Sequence, residues 1–296
     1  MPEKPKILIQ LDTDPQPSSF DGVVAVDAGV DHLFSYGAVK PEQVMSLVHG
    51  AIFTRHPRDL KSTAIFIGGA DLVAGEEVLA EVKKHFIPAA GFRVSLMLDS
   101  NGSNTTAAAA VRAASMNMDV GCAKALVLGG TGPVGQRVSR LLARQGAHVR
   151  VGSRQLDRAQ AVCKAIQTRL PQARVEAVAT ASSADGPRAL EGRDLVIAAG
   201  AAGAVLLPYK IRATCSTLRM AIDLNAVLPV GIEGVEITDR AAVRDGVLCY
   251  GAIGVGDTKM KIHRAAIAAM FENNELVFDA EEIYDLALRL SASVAG

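Results

Sequence analysis

The chain has 296 residues, which at about 150 residues per domain predicts two domains. Lysine and arginine together number 31, as do aspartate and glutamate, and aromatic residues make up 4% of the chain. Nucleic acids and anionic membranes require clustered positive charge, and single-stranded nucleic acids also require aromatic side chains. We therefore expect neither a nucleic acid nor a membrane as partner, and the composition favours a protein that acts on small molecules.

Cysteine spacing and hydropathy bear on the cellular compartment. The four cysteines are far apart and form no C-x-x-C pair, so we expect buried free thiols rather than disulfides or a zinc site. The sequence also lacks an H-E-x-x-H string, and we expect no metal. The longest apolar run, residues 195–207, is too short to span a bilayer, and the first residues contain no apolar signal core. The expected location is the cytoplasm.

The first part of the chain alternates short apolar runs with helical patterns, which is typical of a parallel sheet covered by helices. The predicted strands are Lys6–Leu11, His32–Tyr36, Thr63–Ile67 and Phe92–Leu98. The predicted helices are Phe20–Ala28, Pro41–Phe53, Asp71–Phe86 and Asn104–Met118. A turn at residues 116–121 then predicts that a first α/β domain, the substrate domain, spans residues 1–118.

The alternation repeats in the second part of the chain. The predicted strands are Ala123–Leu128, His148–Val151, Val175–Val178, Leu195–Ala199, Met220–Leu224 and Leu248–Gly251. The predicted helices are Val134–Gln145, Asp157–Leu170, Thr258–Glu272 and Ala280–Leu290. We expect a second domain at 119–270 and a helical segment at 271–296 that packs back on the first domain. The expected fold class is α/β: two α/β domains with a cleft between them, the second a Rossmann-type doubly wound parallel sheet.

A glycine-rich string leaves one predicted strand and enters the next helix. Gly130, Gly132 and Gly135 form a G-x-G-x-x-G pattern, in which the glycines permit a tight turn, close approach of a pyrophosphate, and close packing of helix on strand. The string therefore predicts that 119–270 is a dinucleotide-binding domain. The predicted dinucleotide contacts are Gly130, Thr131, Gly132, Pro133 and Val134. A plain glycine-rich turn is the alternative.

The end of the following strand bears on which dinucleotide binds. A site for NAD usually carries Asp or Glu there to bind the ribose 2′-hydroxyl, whereas this chain reads Val-Gly-Ser153-Arg154. Ser153 can donate to a phosphate, and the guanidinium of Arg154, with help from Arg158, suits a 2′-phosphate. The sequence therefore favours NADP. Alternatively, Arg154 and Arg158 form a solvated first turn in which Asp157 pairs with either.

Two further glycine-containing strings, residues 198–203 and 251–256, follow predicted strands. Ligands of open α/β sheets bind at the carboxyl ends of strands, so both strings are candidate cofactor contacts. Ordinary tight turns between strand and helix are the alternative.

Several longer strings resemble a known family, the NADP-dependent methylene-tetrahydromethanopterin dehydrogenases of one-carbon-oxidising bacteria. They are collinear and cover nearly the whole chain, and Asp-Ser-Asn-Gly-Ser-Asn-Thr-Thr is the most specific of them. The matching strings are Gln10–Asp14, Pro17–Asp21, Ser62–Gly69, Leu98–Ala107, Gly129–Gly135, Asp223–Asn225, Gly254–Arg264 and Val277–Tyr284.

The resemblance implies an enzyme that transfers a hydride from the methylene bridge of a tetrahydropterin to NADP+, giving the methenyl form. It implies a two-domain fold with the pterin in the cleft, and we also expect a homo-oligomer. Tetrahydromethanopterin is the expected carrier, with tetrahydrofolate a possible second one. The cofactor contacts that it adds are Gly200, Ala201, Asn225 and Ile253. The substrate contacts that it implies are Asp12, Phe20, Asp21, Ser100, Asn101, Asn104 and Lys259.

Removing a hydride from a carbon between two nitrogens leaves an amidinium-like cation, and no proton has to move. A carboxylate near that cation lowers the barrier, and Asp21, in the first turn of the first helix, is the candidate. Lys259 is predicted in the first turn of the helix after Gly256, where a lysine opposes the helix dipole, so we expect it to orient the substrate. The alternatives are that Asp21 complements the helix dipole and that Asn104 caps the following helix.

Two other functions stay open. A folate-type methylene-tetrahydrofolate dehydrogenase/cyclohydrolase would need a general acid, and the expected Tyr-x-x-x-Lys string is matched only by Tyr36 and Lys40 across a turn. A non-catalytic NADP-sensing protein would bind the cofactor without turnover, which leaves the second α/β domain without a purpose.

Overall fold

The structure is a computed structural model and describes residues 4–290. It divides into two compact units, of which unit 1 consists of Met1–Thr105 with Met260–Gly296 and unit 2 of Thr106–Lys259. The sequence places the boundaries at residues 118 and 270 instead, because turn signals mark the ends of helices. In the structure both boundaries fall inside helices, at residues 105–106 and 259–260. A boundary inside a helix has no turn signal in the sequence.

Unit 1 is built on a five-stranded parallel sheet in the order β12-β4-β3-β1-β2. Its strands are β1 (Ile7–Asp12), β2 (His32–Tyr36), β3 (Thr63–Gly68), β4 (Ser95–Leu98) and β12 (Val277–Phe278). Its helices are α1 (Ser19–Asp27), α2 (Val44–Phe53), α3 (Leu72–Lys84) and α10 (Ala280–Leu290), together with parts of α4 (Ser103–Ser115) and α9 (Ala252–Ala269). Strands β3 and β4 are buried throughout, as their continuous apolar sequences require in a sheet covered on both faces.

The strand order of unit 1 reverses between β1 and β3. The loops that follow these two strands are pressed together there, because a Cβ on Gly69 would overlap the side chain of Thr13. In an open parallel sheet, ligands bind outside the carboxyl ends of the strands at such a reversal. The sheet therefore marks the neighbourhood of Asp12 and Gly68, the last residues of β1 and β3, as a candidate ligand site.

Unit 2 is built on a seven-stranded sheet in the order β10-β11-β9-β8-β5-β6-β7, parallel except for the β10–β11 pair. Its strands are β5 (Lys124–Leu128), β6 (His148–Ser153), β7 (Arg174–Ala179), β8 (Leu195–Ala198), β9 (Met220–Asp223), β10 (Arg240–Arg244) and β11 (Val247–Tyr250). Its complete helices are α5 (Pro133–Arg144), α6 (Leu156–Arg169), α7 (Asp185–Leu190) and α8 (Tyr209–Arg212). Without β10, this is the strand order of a Rossmann dinucleotide-binding domain. The predicted fold class, two α/β units of which the second is doubly wound, is confirmed.

Several details differ from the predicted elements. Strands β10 and β12 and helices α7 and α8 were not predicted. Helix α9 begins at Ala252 rather than at Thr258. Gly254 and Gly256 make residues 251–256 resemble a turn, but both lie inside α9. A Cβ on Gly251 or Gly254 would overlap the backbone of residues 236–240. Gly251 and Gly254 are therefore required by close packing at the start of the helix.

Candidate functional site

The glycine loop between β5 and α5 is packed tightly against neighbouring backbone. Gly129 has a φ of +69°, and a Cβ there would lie 2.5 Å from Cα of Gly200, at the turn after β8. A Cβ on Gly130 would lie 2.7 Å from Cγ1 of Val151, and one on Gly135 would overlap the carbonyl oxygen of Gly129. Packing within the protein therefore accounts for these three glycines.

Gly132 is different, because nothing in the protein requires a glycine there. It is the N-cap of α5 with φ −76° and ψ 169°, a backbone conformation that any residue adopts. A Cβ would have its nearest neighbour, the carbonyl oxygen of Gly129, at 3.5 Å, an ordinary contact. The missing side chain leaves the helix N-terminus open to an anionic group, and the loop therefore fits the pyrophosphate of a dinucleotide.

Ser153 and Arg154 follow at the end of β6. Ser153 is buried, and its hydroxyl accepts the backbone N–H of Gln155 and lies 3.5 Å from the hydroxyl of Thr131. Arg154 and Arg158 are exposed, and within residues 4–290 neither forms an ion pair with Asp157. The strand end therefore presents a hydroxyl and two guanidinium groups with no carboxylate bound to them.

The other predicted cofactor contacts differ in their surroundings. Gly200 lies beside the glycine loop, the neighbouring Ala201 is exposed, and Ile253 is 51% exposed in the first turn of α9. Asn225 is buried, and its side chain binds the carbonyl of Pro229 and the N–H of Val227. Its side chain therefore shapes the loop after β9.

Asp223 supports the same loop from the end of β9. It is 1% exposed and accepts the backbone N–H groups of Asn225 and Ile232. Burial raises the pKa of this carboxyl, although the hydrogen bonds from the backbone oppose the change. The Asp-Leu-Asn string thus fixes the backbone of a strand-end loop.

In unit 1, Asp12 orders the loop between β1 and α1. It is 1% exposed, and its two carboxylate oxygens accept the backbone N–H groups of Asp14 at 2.9 Å and Ser18 at 3.0 Å. The hydroxyl of Ser18, the N-cap of α1, accepts the N–H of Asp21. Asp12 therefore sets the position at which α1 begins, and with it the position of Asp21.

Asp21 lies at the reversal point of the sheet. One of its carboxylate oxygens would lie 3.7 Å from a Cβ on Gly68, the last residue of β3. Its side chain is 14% exposed. Phe20, the residue before it, is 50% exposed. The two predicted substrate contacts therefore present a shielded carboxylate beside an accessible aromatic ring.

His263 joins this group, although nothing in the sequence pattern assigns it a role beyond its place four residues after Lys259. It is fully buried on α9, and its ring stacks on Phe66 with 5.8 Å between centroids. The ring of Phe20 lies 6.2 Å away on centroids. The Nε2 atom of His263 is 3.9 Å from Oδ1 of Asp21.

Of the contacts predicted after β4, Asn101 is exposed with a φ of +54°, and Ser100 and Asn104 are fully buried. The amide nitrogen of Asn104 donates to the carbonyl of Leu98 and to Asp279. The alternative that Asn104 caps α4 is wrong, because Asp99 accepts the N–H groups at the start of that helix.

Lys259 does not lie in a first helical turn, and that prediction is wrong. Helix α9 begins at Ala252, so Lys259 is in the third turn, where the unfavourable field of the helix N-terminus has faded. Lys259 is partly buried, and Lys261 is exposed. The dipole argument for Lys259 therefore fails, although its place one turn before His263 on the same helix face remains.

The predicted state of the cysteines is correct only in part. All four are free thiols, but Cys163 and Cys249 alone are buried, whereas Cys215 is half-buried and Cys122 is exposed. Burial raises the pKa of Cys163 to about 11, so this thiol is not reactive near neutral pH.

Two kinds of feature are absent from residues 4–290. No group of three or more His, Cys, Asp or Glu side chains in that range is arranged to hold a metal ion. None of the helices described there has the length and hydropathy needed to cross a membrane.

Comparison with known proteins adds three findings. Residues 19–101 match the family model for the N-terminal part of methylene-tetrahydromethanopterin dehydrogenase. The chain is 47% identical to the bifunctional protein MdtA of Methylorubrum extorquens over 97% of its length and 99% of that protein. It is 30% identical to an NAD(P)-dependent methylenetetrahydromethanopterin dehydrogenase of the same organism, over 93% of this chain and 95% of the other.

One solved structure supports the fold. Quinate dehydrogenase from Corynebacterium glutamicum, in complex with NAD, superposes with a TM-score of 0.54 and covers 97% of this chain and 100% of its own. The two sequences are 14% identical, so the likeness concerns the architecture alone.

Proposed function

The chain belongs to the methylene-tetrahydromethanopterin dehydrogenase family, and from this premise we propose a function for each unit. The protein is an oxidoreductase that uses a nicotinamide dinucleotide and oxidises the methylene bridge of a methylene-tetrahydropterin. The observation that carries the assignment of the cofactor to unit 2 is the glycine loop, in which Gly132 alone lacks a packing reason to be glycine. The pterin is assigned to the strand ends of unit 1.

In unit 2, the residues that would hold the dinucleotide are those of the loop and the neighbouring strand ends. The backbone of Gly130–Val134 would bind the pyrophosphate, with the N-terminus of α5 contributing its partial positive charge. Gly200, Ala201 and Asn225 would border it at the ends of β8 and β9, and the exposed side chain of Ile253 offers an apolar surface. When bound, the nicotinamide ring supplies the hydride acceptor.

NADP rather than NAD is the proposed cofactor. The support is that Ser153, Arg154 and Arg158 stand at the strand end where a site for NAD carries a carboxylate. Two guanidinium groups there would repay the desolvation of a 2′-phosphate, since charge-assisted hydrogen bonds are about twice as strong as neutral ones.

In unit 1, the proposed role of Asp21 is electrostatic. Its carboxylate is largely shielded from water, and a fixed charge in such a place stabilises a developing cation more than the solvent does. Phe20 would cover one face of the bound pterin, with Asp12, Ser100, Asn101 and Asn104 shaping the strand ends around it. Lys259 is proposed to orient the substrate. No general acid or base is required in the hydride-transfer step, because the amidinium-like product forms without proton movement.

The test is a spectrophotometric assay of NADPH formation with methylene-tetrahydromethanopterin and, separately, with methylene-tetrahydrofolate. Both carriers are needed because the resemblance leaves tetrahydrofolate open as a second carrier. We expect turnover with at least the first carrier, and a parallel assay of methenyl hydrolysis to show no activity. Cofactor binding without turnover on either carrier would instead indicate a sensing protein.

A further inference from the structure

The ring of His263 is held in one orientation by its neighbours. It has no exposed surface, and it stacks on Phe66 with only 22° between the two ring planes. Phe20 contacts it from α1 with a tilt of 36°. Because a stacked, buried ring cannot turn about its Cβ–Cγ bond without displacing its neighbours, the direction of its Nε2 edge is fixed.

The same edge faces the carboxylate of Asp21. The separation of 3.9 Å between Nε2 and Oδ1 lies within ion-pair distance for a protonated imidazole and is longer than a hydrogen bond. A contact of this kind favours one orientation of the carboxylate, and because it involves Oδ1 it leaves Oδ2 able to face the substrate.

The start of α1 shows that helix capping does not determine the orientation of Asp21. Ser18 and Asp21 occupy the N-cap and N3 positions of a capping box, in which the N3 acid would accept the N-cap N–H. Here the N–H of Ser18 donates to Asp12 instead. Asp12 therefore takes the N–H that a capping box would assign to Asp21, so the contact between Asp21 and His263 is not a by-product of helix capping.

We propose that His263 is a positioning residue for hydride transfer, which acts by directing the carboxylate of Asp21 toward the cation that develops on the substrate. The inference rests on the proposed function, since it presupposes that Asp21 stabilises that cation. It predicts that the effect of His263 on turnover requires Asp21 and does not extend to the binding of NADP+.

The experiment is a double-mutant cycle measured with NADP+ and methylene-tetrahydromethanopterin, using His263→Phe, Asp21→Asn and the double variant. Phenylalanine keeps the aromatic stack on Phe66 but removes the nitrogen. We expect His263→Phe to lower kcat about tenfold or more, since a small misplacement of a reacting group costs up to about a hundredfold, with the Kd for NADP+ within about twofold. His263→Gln, which keeps an N–H at a similar distance from the backbone, should recover most of kcat. His49→Phe is the control and should retain wild-type kinetics, since His49 is half-buried and its ring contacts Phe53 of α2 with 5.2 Å between centroids.

The double variant decides the result. If His263 acts through Asp21, adding His263→Phe to Asp21→Asn lowers kcat no further. Additive losses, or a loss of kcat that His263→Gln fails to recover in a folded protein, would overturn the proposal. A wild type inactive with both carriers would overturn the proposed function and this role with it. A drop in melting temperature without a change in kcat would mean that His263 contributes only to the stability of the core. If His263→Phe does not fold, His263→Leu replaces it in the double-mutant cycle.

Discussion

The substitution Gly132→Ala should separate cofactor binding from folding. The backbone conformation at this position suits alanine, and restricting the unfolded chain stabilises the fold by about 0.4–1 kcal/mol. Alanine is a poorer N-cap than glycine, which costs a similar amount. The nearest atom to the new Cβ is 3.5 Å away, so no overlap adds to these terms. The net change in the free energy of unfolding should stay within about 1 kcal/mol, or roughly 2–4 °C in melting temperature.

Binding should respond very differently, because the added methyl group occupies the space through which a pyrophosphate would approach the backbone. We expect the Kd for NADP+ to rise at least about tenfold, equivalent to about 1.4 kcal/mol. Fluorescence titration with NADPH measures the affinity, and thermal unfolding without cofactor measures the stability.

Two other glycine variants make the comparison specific. Gly135→Ala should destabilise the fold by about 1–3 kcal/mol, since its Cβ would overlap the carbonyl oxygen of Gly129. Gly50→Ala on α2, where a Cβ would meet open space, should leave NADP+ binding unchanged. A folded Gly132→Ala protein that binds NADP+ as the wild type does would refute the assignment of the loop.

Two further predictions concern charged residues. Arg154→Ala should raise the Kd for NADP+ roughly ten- to a hundredfold, as expected for a lost charge-assisted contact of about 1.5–3 kcal/mol. The Kd of this variant for NAD+, and the Kd of the control Arg169→Ala for NADP+, should stay within about twofold of the wild type. Equal losses for both cofactors would exclude a contact with the 2′-phosphate. Asp239 accepts hydrogen bonds from Arg244 at 2.6 and 2.7 Å, and although burial opposes it, these bonds hold the pKa of the carboxyl below its ordinary value of 3.8. A carboxyl whose pKa is lowered in the folded state stabilises the protein at a pH above its ordinary pKa. This stabilisation is lost as the pH falls through the pKa of the folded state. The melting temperature of Asp239→Asn should therefore lie below the wild type at pH 7 and approach it below about pH 4, whereas a gap independent of pH would contradict the argument.

The features that the sequence predicted well are local ones. The glycine loop lies within a few residues of the strand and helix that position it, and apolar runs such as β3 report burial directly. The family strings added the residues at the strand ends of unit 1, of which Asp21 lies at the reversal of the sheet.

The features that it missed depend on distant parts of the chain. Gly254 resembles a turn residue, but its requirement comes from the backbone of Asp239, which no spacing rule relates to it. The start of α9, and with it the position of Lys259, was misplaced for this reason. His263 likewise gains its surroundings from Phe66 and Phe20, which come from other elements. A lone histidine in a helical pattern carries no signal of such contacts.

Strand β12 gives the protein an unusual order of assembly during synthesis. It pairs with β4 through Val277 and Phe278, so the sheet of unit 1 lacks this edge strand until residue 278 has left the ribosome. Unit 2, being continuous in sequence, can fold while that sheet is still incomplete. At about 5–20 residues per second, the apolar edge of β4 waits on the order of 10–30 s for its partner. During that interval the backbone N–H and C=O groups on the outer edge of β4 are unpaired, and an unpaired edge is a template for pairing with another chain.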